Sequence, residues 1–346
     1  MPLLVIAFAL TGINRSGGWW IHRRGCRKWP AADPAAQLRG HDRAMSVIEV
    51  NELHKRYRDH VAVHDVSFAV REGEIFGIVG PNGAGKTTTV EIVGGLRRPD
   101  GGAVRVLGLD PQRDRTELRR VLGMQLQRSE LPDRIRVHEA LELFASFYRD
   151  PADPAQLLEE WGLARKRDAA FGELSGGQRQ RLSVALALVG RPRVAILDEL
   201  TSGLDPQARR DSWVLVERIR DSGVTVVLVT HFMEEAERLC DRIAVIDAGR
   251  LVALDSPAGL VGRLDAGQRL RFRPSGPVDD ALLTALPEVT AVRRTGPVVE
   301  VTGGGDLLRV VTTTLAQHHL VPADLRMEHA SLDDAFVALT GRGIED

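Results

Sequence analysis

Short apolar runs alternate with amphipathic stretches from residue 46 to about residue 262. Three runs are typical of buried parallel strands: Val194–Leu197, Thr225–Val229 and Ile243–Ile246. Glu74–Val79 is predicted to be a strand that follows a turn. Val61–Val70 and Ala103–Leu107 are also strand-like, whereas Val137–Tyr148 and Leu182–Val189 show the apolar spacing of helices. This alternation of strands with helices predicts an α/β fold whose sheet is covered on both faces.

A different order of predicted strands and helices begins near residue 268 and continues to the end of the chain. The strands predicted there are Leu270–Phe272, Val289–Arg293, Val298–Val301 and Asp324–Glu328. The predicted helices are Asp279–Leu286, Asp306–Gln317 and a closing helix at Ser331–Leu339. The order βαββαβ is that of a ferredoxin-like, split-βαβ unit. We therefore expect a larger domain at 46–262 and a small C-terminal α+β accessory domain at 263–346.

Residues 1–45 form an N-terminal extension in which apolar residues follow no sustained periodicity. They contain three of the five tryptophans, and Met45 is followed at once by strand-like residues. We interpret this segment as a disordered tail or as the product of a start codon upstream of the true start at Met45. The alternative is an interfacial membrane contact made by Leu3–Leu10 and the tryptophans.

Composition narrows the class of protein. A chain of 346 residues suits two domains, and a net charge of −1 gives no sign of a general nucleic-acid binder. Two cysteines imply no disulfide framework and fit a reducing compartment. No stretch reaches the roughly 20 apolar residues that a membrane span needs. If the protein serves transport, we expect the membrane path to belong to another chain.

One segment has the form G-x-x-x-x-G-K-T of a phosphate-binding loop. It consists of Gly80, Pro81, Asn82, Gly83, Ala84, Gly85, Lys86 and Thr87. With a strand before it and a helix after it, its amides and the helix N-terminus can cradle phosphates. Lys86 would neutralise them, Thr87 would ligate Mg²⁺, and Thr88 would add a phosphate contact. The alternative is a plain glycine-rich turn before a helix.

Two carboxylates, Asp198 and Glu199, end the apolar run Val194–Leu197. Ligands of α/β sheets bind at the carboxyl ends of strands. An aspartate there can hold Mg²⁺ through water, and the next carboxylate can polarise the attacking water in phosphoryl transfer. The alternative is a solvated acidic pair at the end of a strand.

The segment Leu174–Gln178 reads Leu-Ser-Gly-Gly-Gln and comes twenty residues before that strand. Ser175 and Gln178 have the spacing of a capping box before an apolar helix. A capping box does not require Gly176 and Gly177. These glycines leave an open helix N-terminus that can face a phosphate.

Together, in this order, the three segments resemble the ATP-binding subunit of an ABC (ATP-binding cassette) transporter, over about residues 46–255. The resemblance implies a P-loop NTPase fold, ATP and Mg²⁺ as cofactors, and ATP hydrolysis. It places Tyr57 where an aromatic ring stacks on adenine and Asp205 in the loop that crosses the dimer interface. It also makes His231 the switch histidine that contacts the γ-phosphate. Gln127 would couple nucleotide and metal to the membrane partner.

Each assignment carried by the resemblance has a plainer alternative. Tyr57 could pack, Asp205 could be a turn residue before Pro206, and His231 could simply end a strand. Gln127 could lie at the surface, with Gln125 as a rival for its role. One departure is Leu200, where the family commonly has proline. Leucine removes a backbone constraint but no reacting group, so we expect activity to survive.

The resemblance also implies an assembly. Two copies would meet head to tail around two ATP molecules on the cytoplasmic face of a membrane, bound to a multi-span permease. Gly73–Leu96 and Ser331–Arg342 resemble the daunorubicin-exporter branch, which pairs with ABC-2-type permeases and would export a drug, natural product or lipid. The rival classes are a soluble ABC-type ATPase acting on ribosomes or DNA and a regulatory module without hydrolysis. No nucleic-acid partner is expected.

Overall fold

The structure is a computed structural model that describes residues 46–126, 131–263, 268–328 and 330–343. The expectations for residues 1–45 and for Gln127 therefore lie outside the described residues. Labels for strands and helices run in chain order through the described ranges.

A three-stranded antiparallel sheet begins the described chain. Its strands are β1 (Ser46–Tyr57), β2 (His60–Arg71) and β4 (Gly101–Val106), in the order β2-β1-β4. One face of the sheet is apolar because alternate residues such as Ile48, Val50 and Phe68 are buried. These side chains join one of the two cores of the larger unit.

The central sheet has six strands in the order β5-β6-β7-β3-β8-β9. These are β3 (Ile75–Val79), β5 (Leu122–Gln125), β6 (Val194–Asp198), β7 (Thr225–Thr230), β8 (Arg242–Asp247) and β9 (Arg250–Asp255). All neighbours are parallel except β8 and β9. Parallel neighbours put the carboxyl ends of β6, β7 and β3 side by side at one edge of the sheet.

Eight α-helices belong to the chain up to residue 262 within the described ranges. They are α1 (Lys86–Val93), α2 (Arg115–Val121), α3 (Val137–Ala145), α4 (Pro154–Glu160), α5 (Gly176–Leu188), α6 (Pro206–Asp221), α7 (Met233–Leu239) and α8 (Pro257–Gly262). Alternate residues of the central strands point to opposite faces of the sheet and belong to two separate cores. In β3, Ile75 and Val79 belong to one core, and Phe76 and Ile78 belong to the other. The sheet is thus buried on both faces, and the predicted α/β architecture is confirmed.

The C-terminal strands form a separate antiparallel sheet in the order β11-β12-β10-β13. The elements are β10 (Gln268–Pro274), α9 (Asp280–Thr284), β11 (Val289–Thr295), β12 (Val298–Gly303), α10 (Leu307–Gln317) and β13 (Pro322–Glu328). Leu270, Phe272, Val301 and Val311 contribute to a core of their own. The chain order is the predicted βαββαβ, while the division into two domains stays a prediction.

The last helix, α11 (Leu332–Thr340), does not share that small core. Its buried residues Leu332, Ala335 and Phe336 belong to a core of the larger unit, and the helix contacts α7, α8 and β9. A boundary at residue 263 therefore does not separate two groups of packed elements, because the last helix of the chain packs in the core of the larger unit.

We expect Phe336→Ala to destabilise the larger unit by about 3–5 kcal/mol, the usual cost of truncating a buried phenylalanine. Phe336 is 1% exposed, whereas the adjacent Val337 is 47% exposed, so Val337→Ala is the matched control and should cost under about 1 kcal/mol. Denaturant unfolding of the full chain measures both. Equal effects of the two substitutions would contradict this packing.

Candidate nucleotide-binding site

The loop between β3 and α1 is held against two carbonyl groups. A Cβ added to Gly80 would lie 2.0 Å from the carbonyl oxygen of Ile246, and one added to Gly85 would lie 2.2 Å from that of Ala62. Gly85, at φ 98°, precedes α1 and offers no side chain to cap it. The first amides of α1 therefore have no capping side chain among the described residues, which is the usual arrangement of an anion site at a helix N-terminus.

Lys86 lies under this loop and is 5% exposed. Its Nζ donates to the carbonyl oxygens of Gly80 at 2.7 Å and Pro81 at 2.9 Å. Burial lowers the pKa of the Lys86 ammonium, while the carboxylates of Glu199 and Asp198 act to raise it. The end of β6 therefore provides the negative charge that compensates the buried cation.

Asp198 ends β6 and is fully buried. Burial raises the pKa of its carboxyl to about 6, and the Glu199 carboxylate raises it too, against the opposing effects of Thr87 and Lys86. Neither carboxylate oxygen of Asp198 has a hydrogen-bond partner among the described residues. A buried carboxylate without a partner and a neighbouring threonine hydroxyl supply the oxygen ligands that Mg²⁺ prefers, and this pair fits that ion.

Glu199 follows in a left-handed conformation, at φ 52°, which is unusual for a residue other than glycine. Its amide donates to the Val229 carbonyl oxygen at 2.8 Å, and its Oε2 accepts from Ser202 Oγ at 3.2 Å. Its Oε1 lies 3.4 Å from Nδ1 of His231, which follows β7. Backbone strain of this kind persists only where the surroundings hold it, and functional sites are common places for it.

Two predicted residues near this group have structural roles. Leu200, the departure from the family pattern, is buried in the core. Gln125 is also buried, and its Nε2 donates to the carbonyl oxygens of Leu126 at 2.7 Å and Asp198 at 3.3 Å. Gln125 therefore joins the ends of β5 and β6, which makes it a less suitable rival to Gln127.

Tyr57 lies at the end of β1 and is 36% exposed. Lys55 Nζ is 5.4 Å and Arg97 Cζ is 5.6 Å from the centre of its ring. The ring therefore lies at the surface near two cations rather than in a core, and stacking on adenine stays a prediction.

The start of α5 has the predicted capping box. Ser175 Oγ accepts from the Gln178 amide at 3.3 Å, and Gln178 Oε1 accepts from the Ser175 amide at 3.0 Å. A Cβ on Gly176 would meet nothing within 4 Å, while one on Gly177 would meet Leu204 and Ala208. These contacts place the helix start beside the loop around Asp205, open on the side of Gly176.

Asp205 caps α6, as the plainer alternative for it expects. Its Oδ1 accepts from the amides of Gln207 at 3.0 Å and Ala208 at 2.9 Å. Its side chain is exposed, and so a contact across a dimer interface stays a prediction.

Sequence reasoning missed a buried polar group behind the site, formed by Thr201, Thr230 and Glu235. Phe232 and Leu239 flank Glu235 at positions i−3 and i+4, which puts Glu235 on the apolar face of α7. An acid on the apolar face of a helix was the signal that could have found it.

One further cluster has metal-ligating side chains. His54 Nδ1 and His64 Nδ1 each lie about 3 Å from a different oxygen of Asp65. Arg250 lies 2.6 Å from His64 Nε2, so the outer nitrogen accepts from a guanidinium and Nδ1 carries the proton. Because both carboxylate oxygens are engaged and a cation adjoins the cluster, its geometry is complete without a metal.

Comparison with known proteins assigns the class. The family model described as ABC transporter matches residues 63–202. The chain is 39% identical to the Nod factor export ATP-binding protein I of Paraburkholderia xenovorans, over 87% of this chain and 99% of that protein. It is 31% identical to the linearmycin resistance ATP-binding protein LnrL of Bacillus subtilis, over 87% of this chain and 100% of that protein.

A solved ATP-binding cassette, a dimer in a post-hydrolysis state bound to ADP and Pi, matches with a TM-score of 0.55 and 27% identity. The match covers 60% of this chain and 98% of that one. The fold and the phosphate-binding loop thus define a P-loop NTPase. The chain belongs to the ATP-binding subunits of ABC transporters, which bind and hydrolyse ATP. Within the described ranges, no helix has the length and apolarity to cross a membrane.

We expect Asp198→Asn to stabilise the chain at pH 7.5 in the absence of nucleotide and Mg²⁺. The folded-state pKa of about 6 exceeds the ordinary value of 3.8, so the penalty for ionisation is absent below pH 3.8 and complete above 6. The substitution should raise the free energy of unfolding by at most about 3 kcal/mol, since each pKa unit corresponds to about 1.36 kcal/mol. Unfolding of the wild type and the variant from pH 4 to 8 measures it.

The gap between the two proteins should close towards pH 4. Asp59→Asn, which removes an exposed carboxyl, is the control. An advantage for Asp198→Asn that widened in acid would contradict the assigned direction.

Proposed function

We propose that this chain is the ATP-hydrolysing subunit of an exporter whose membrane path is a separate multi-span permease of ABC-2 type. The observation that carries the proposal is the convergence of Lys86, Thr87, Asp198, Glu199 and His231 at one edge of the central sheet. The relatives named for Nod factor export and linearmycin resistance support export of a drug, natural product or lipid.

The phosphate-binding loop would hold the β- and γ-phosphates of ATP. The uncapped amides at the start of α1 suit an anion, and Lys86 supplies a positive charge beneath the loop. Binding would draw the ammonium away from the Gly80 and Pro81 carbonyl groups and towards the phosphates. Thr88 would add a hydroxyl contact, and Tyr57 would stack on the base.

Hydrolysis would depend on Glu199 and His231. Glu199 Oε1 would accept a hydrogen bond from the attacking water and orient it towards the γ-phosphate, while His231 would contact the γ-phosphate. Their separation of 3.4 Å lets the two side chains act on one small region. Thr87 and Asp198, with Gln127, would hold Mg²⁺, which neutralises charge on the phosphates when bound.

We infer that a second copy completes the site. Ser175, Gly176, Gly177 and Gln178 form an open helix start that lies beside Leu204 and Ala208, next to the exposed Asp205. In a head-to-tail dimer this segment would close over the ATP bound to the partner, with Asp205 at the interface. The dimeric cassette in the post-hydrolysis state supports such an arrangement by similarity.

The permease would anchor the assembly to the cytoplasmic face of the membrane. Gln127 would couple the nucleotide to it, since the segment follows directly on β5, whose end is joined to Asp198 through Gln125. Opening and closing of the ATP-bound dimer would then drive the cargo path.

We expect Glu199→Gln to bind ATP and form a stable dimer without turning ATP over. The amide keeps the shape of the side chain but no longer polarises the water, so the ATP-bound state accumulates. Size-exclusion chromatography with light scattering, with and without ATP and Mg²⁺, measures the dimer. Lys86→Ala, which removes the phosphate-binding cation, is the control and should stay monomeric and inactive. A monomer at saturating ATP would count against the shared site.

We also expect tagged Glu199→Gln, purified from native membranes with ATP and Mg²⁺, to bring a multi-span permease with it. Mass spectrometry identifies the partner, and Lys86→Ala provides the matched sample without a trapped nucleotide. Recovery of ribosomal proteins or DNA with no membrane protein would instead favour an ABC-type ATPase acting on those targets.

A further inference from the structure

Two rings lie side by side where β7 leads into α7. The ring centroids of His231 and Phe232 are 4.1 Å apart, with 41° between the ring planes. In an extended strand two successive side chains would point to opposite sides. Here the chain bends, and the Thr230 hydroxyl Oγ1 holds the bend by accepting from the Phe232 amide at 3.0 Å. The bend places the Phe232 ring against the histidine that we expect to contact the γ-phosphate.

A cation from another helix lies over the Phe232 ring. The Cζ atom of Arg209 is 4.1 Å from the ring centre, well within the range of a cation–π contact. The Nε atom of Arg209 is buried and has no hydrogen-bond partner among the described residues. For this guanidinium, stacking on the ring therefore takes the place of a hydrogen bond at Nε.

The backbone of Arg209 is fixed in the first turn of α6. Its amide donates to the carbonyl oxygen of Asp205 at 2.9 Å, and the Asp205 side chain caps the same turn. His231, by contrast, follows the strand β7. Phe232 contacts both side chains, so it links the start of α6 to the imidazole.

The orientation of the His231 ring depends on packing. Its Nδ1 is buried and has no hydrogen-bond partner among the described residues, although Glu199 Oε1 lies 3.4 Å away. A hydrogen bond at one ring nitrogen is what usually fixes the orientation of an imidazole that acts through the other. Without that bond at Nδ1, the neighbouring Phe232 ring is the contact that restricts rotation of the imidazole.

We propose that Phe232 is a positioning residue for ATP hydrolysis that sets the orientation of the His231 ring, and that Arg209 holds Phe232 in place. The proposal rests on the proposed function, in which His231 contacts the γ-phosphate beside Glu199. Phe232 and Arg209 act only through the imidazole and are assigned no contact with the nucleotide. Rotation of the imidazole would move its nitrogens away from the phosphate, and the rate of the chemical step would fall.

Substitutions of Phe232 in the full chain test the ring contact. Phe232→Leu keeps an apolar side chain but removes the ring, whereas Phe232→Tyr keeps the ring. We expect kcat for ATP hydrolysis to fall by about tenfold in Phe232→Leu, because a misplaced group supports the transition state less well, and to stay near the wild-type value in Phe232→Tyr. The KM for ATP and the melting temperature should change little in either variant. Phe147→Leu, the same change at an exposed ring, is the matched control.

Arg209→Met tests the cation, because methionine keeps an unbranched side chain without the charge. We expect kcat to fall by a factor between about three and ten, and we expect this loss not to add to that of Phe232→Leu, since the two residues act as one unit. Arg210 is exposed on the same turn and its guanidinium binds only the Gln207 side chain, so Arg210→Met is the matched control and should keep wild-type kcat.

A spectroscopic measurement separates positioning from general stability. In protein labelled with ¹³C at Cε1 of histidine, the ring current of Phe232 contributes to the chemical shift of the His231 proton on that carbon. His231→Ala assigns the signal. We expect the signal to move in Phe232→Leu and Arg209→Met, and to stay in place in Phe147→Leu and Arg210→Met.

Wild-type kcat in both Phe232→Leu and Arg209→Met would overturn the positioning role while leaving the proposed function intact. A loss of kcat that tracked a fall in melting temperature, or that left the His231 signal in place, would also overturn it and show a purely structural contact. If the wild type and the control variants hydrolysed no ATP, the proposed function would fail and the positioning role with it. Should Phe232→Leu not fold, Arg209→Met and the His231 signal decide the matter.

Discussion

The Lys86 ammonium and the carboxylates of Asp198 and Glu199 are charges removed from water at the centre of the larger unit. Each is costly to bury alone, and the ammonium and the carboxylates offset part of each other's cost, whereas the Glu199 carboxylate adds to the cost of ionising Asp198. The compensation is incomplete, since the pKa of Asp198 is raised to about 6 and its oxygens lack partners among the described residues. A site in this condition favours ligands that bring further charge, such as a nucleotide with its metal ion.

The strand order of the central sheet brings these charged side chains together. The order β6-β7-β3 puts the strand that ends in Asp198 two places from the strand that leads into the phosphate-binding loop, and β7 between them leads to His231. The loop itself is backed by the turn between β8 and β9. The Gly249 amide donates to the Ala84 carbonyl oxygen at 3.0 Å, and the His64 amide donates to the Gly249 carbonyl oxygen at 2.7 Å. The two sheets therefore meet directly behind the phosphate-binding loop.

The C-terminal segment joins the same region. Helix α11 is packed in a core of the larger unit, and Arg342 just after it binds Asp247 at the end of β8 at 2.5 Å. The sequence predicts a helix at Ser331–Leu339, but it does not predict the surface against which that helix packs. An amphipathic helix requires an apolar surface to cover, and its own spacing does not say which of two cores provides that surface.

The sequence by itself determined the α/β architecture and the family, because the motifs are contiguous and their chemistry is local. A glycine loop before a lysine, a capping box and a strand ending in two acids each show their function within a few residues. Tertiary structure alone decided that Gln125 is a buried link, that Leu200 fills a core and that Thr201, Thr230 and Glu235 meet behind the site. These roles depend on contacts between segments far apart along the chain, and only the packing of strands and helices brings such segments together.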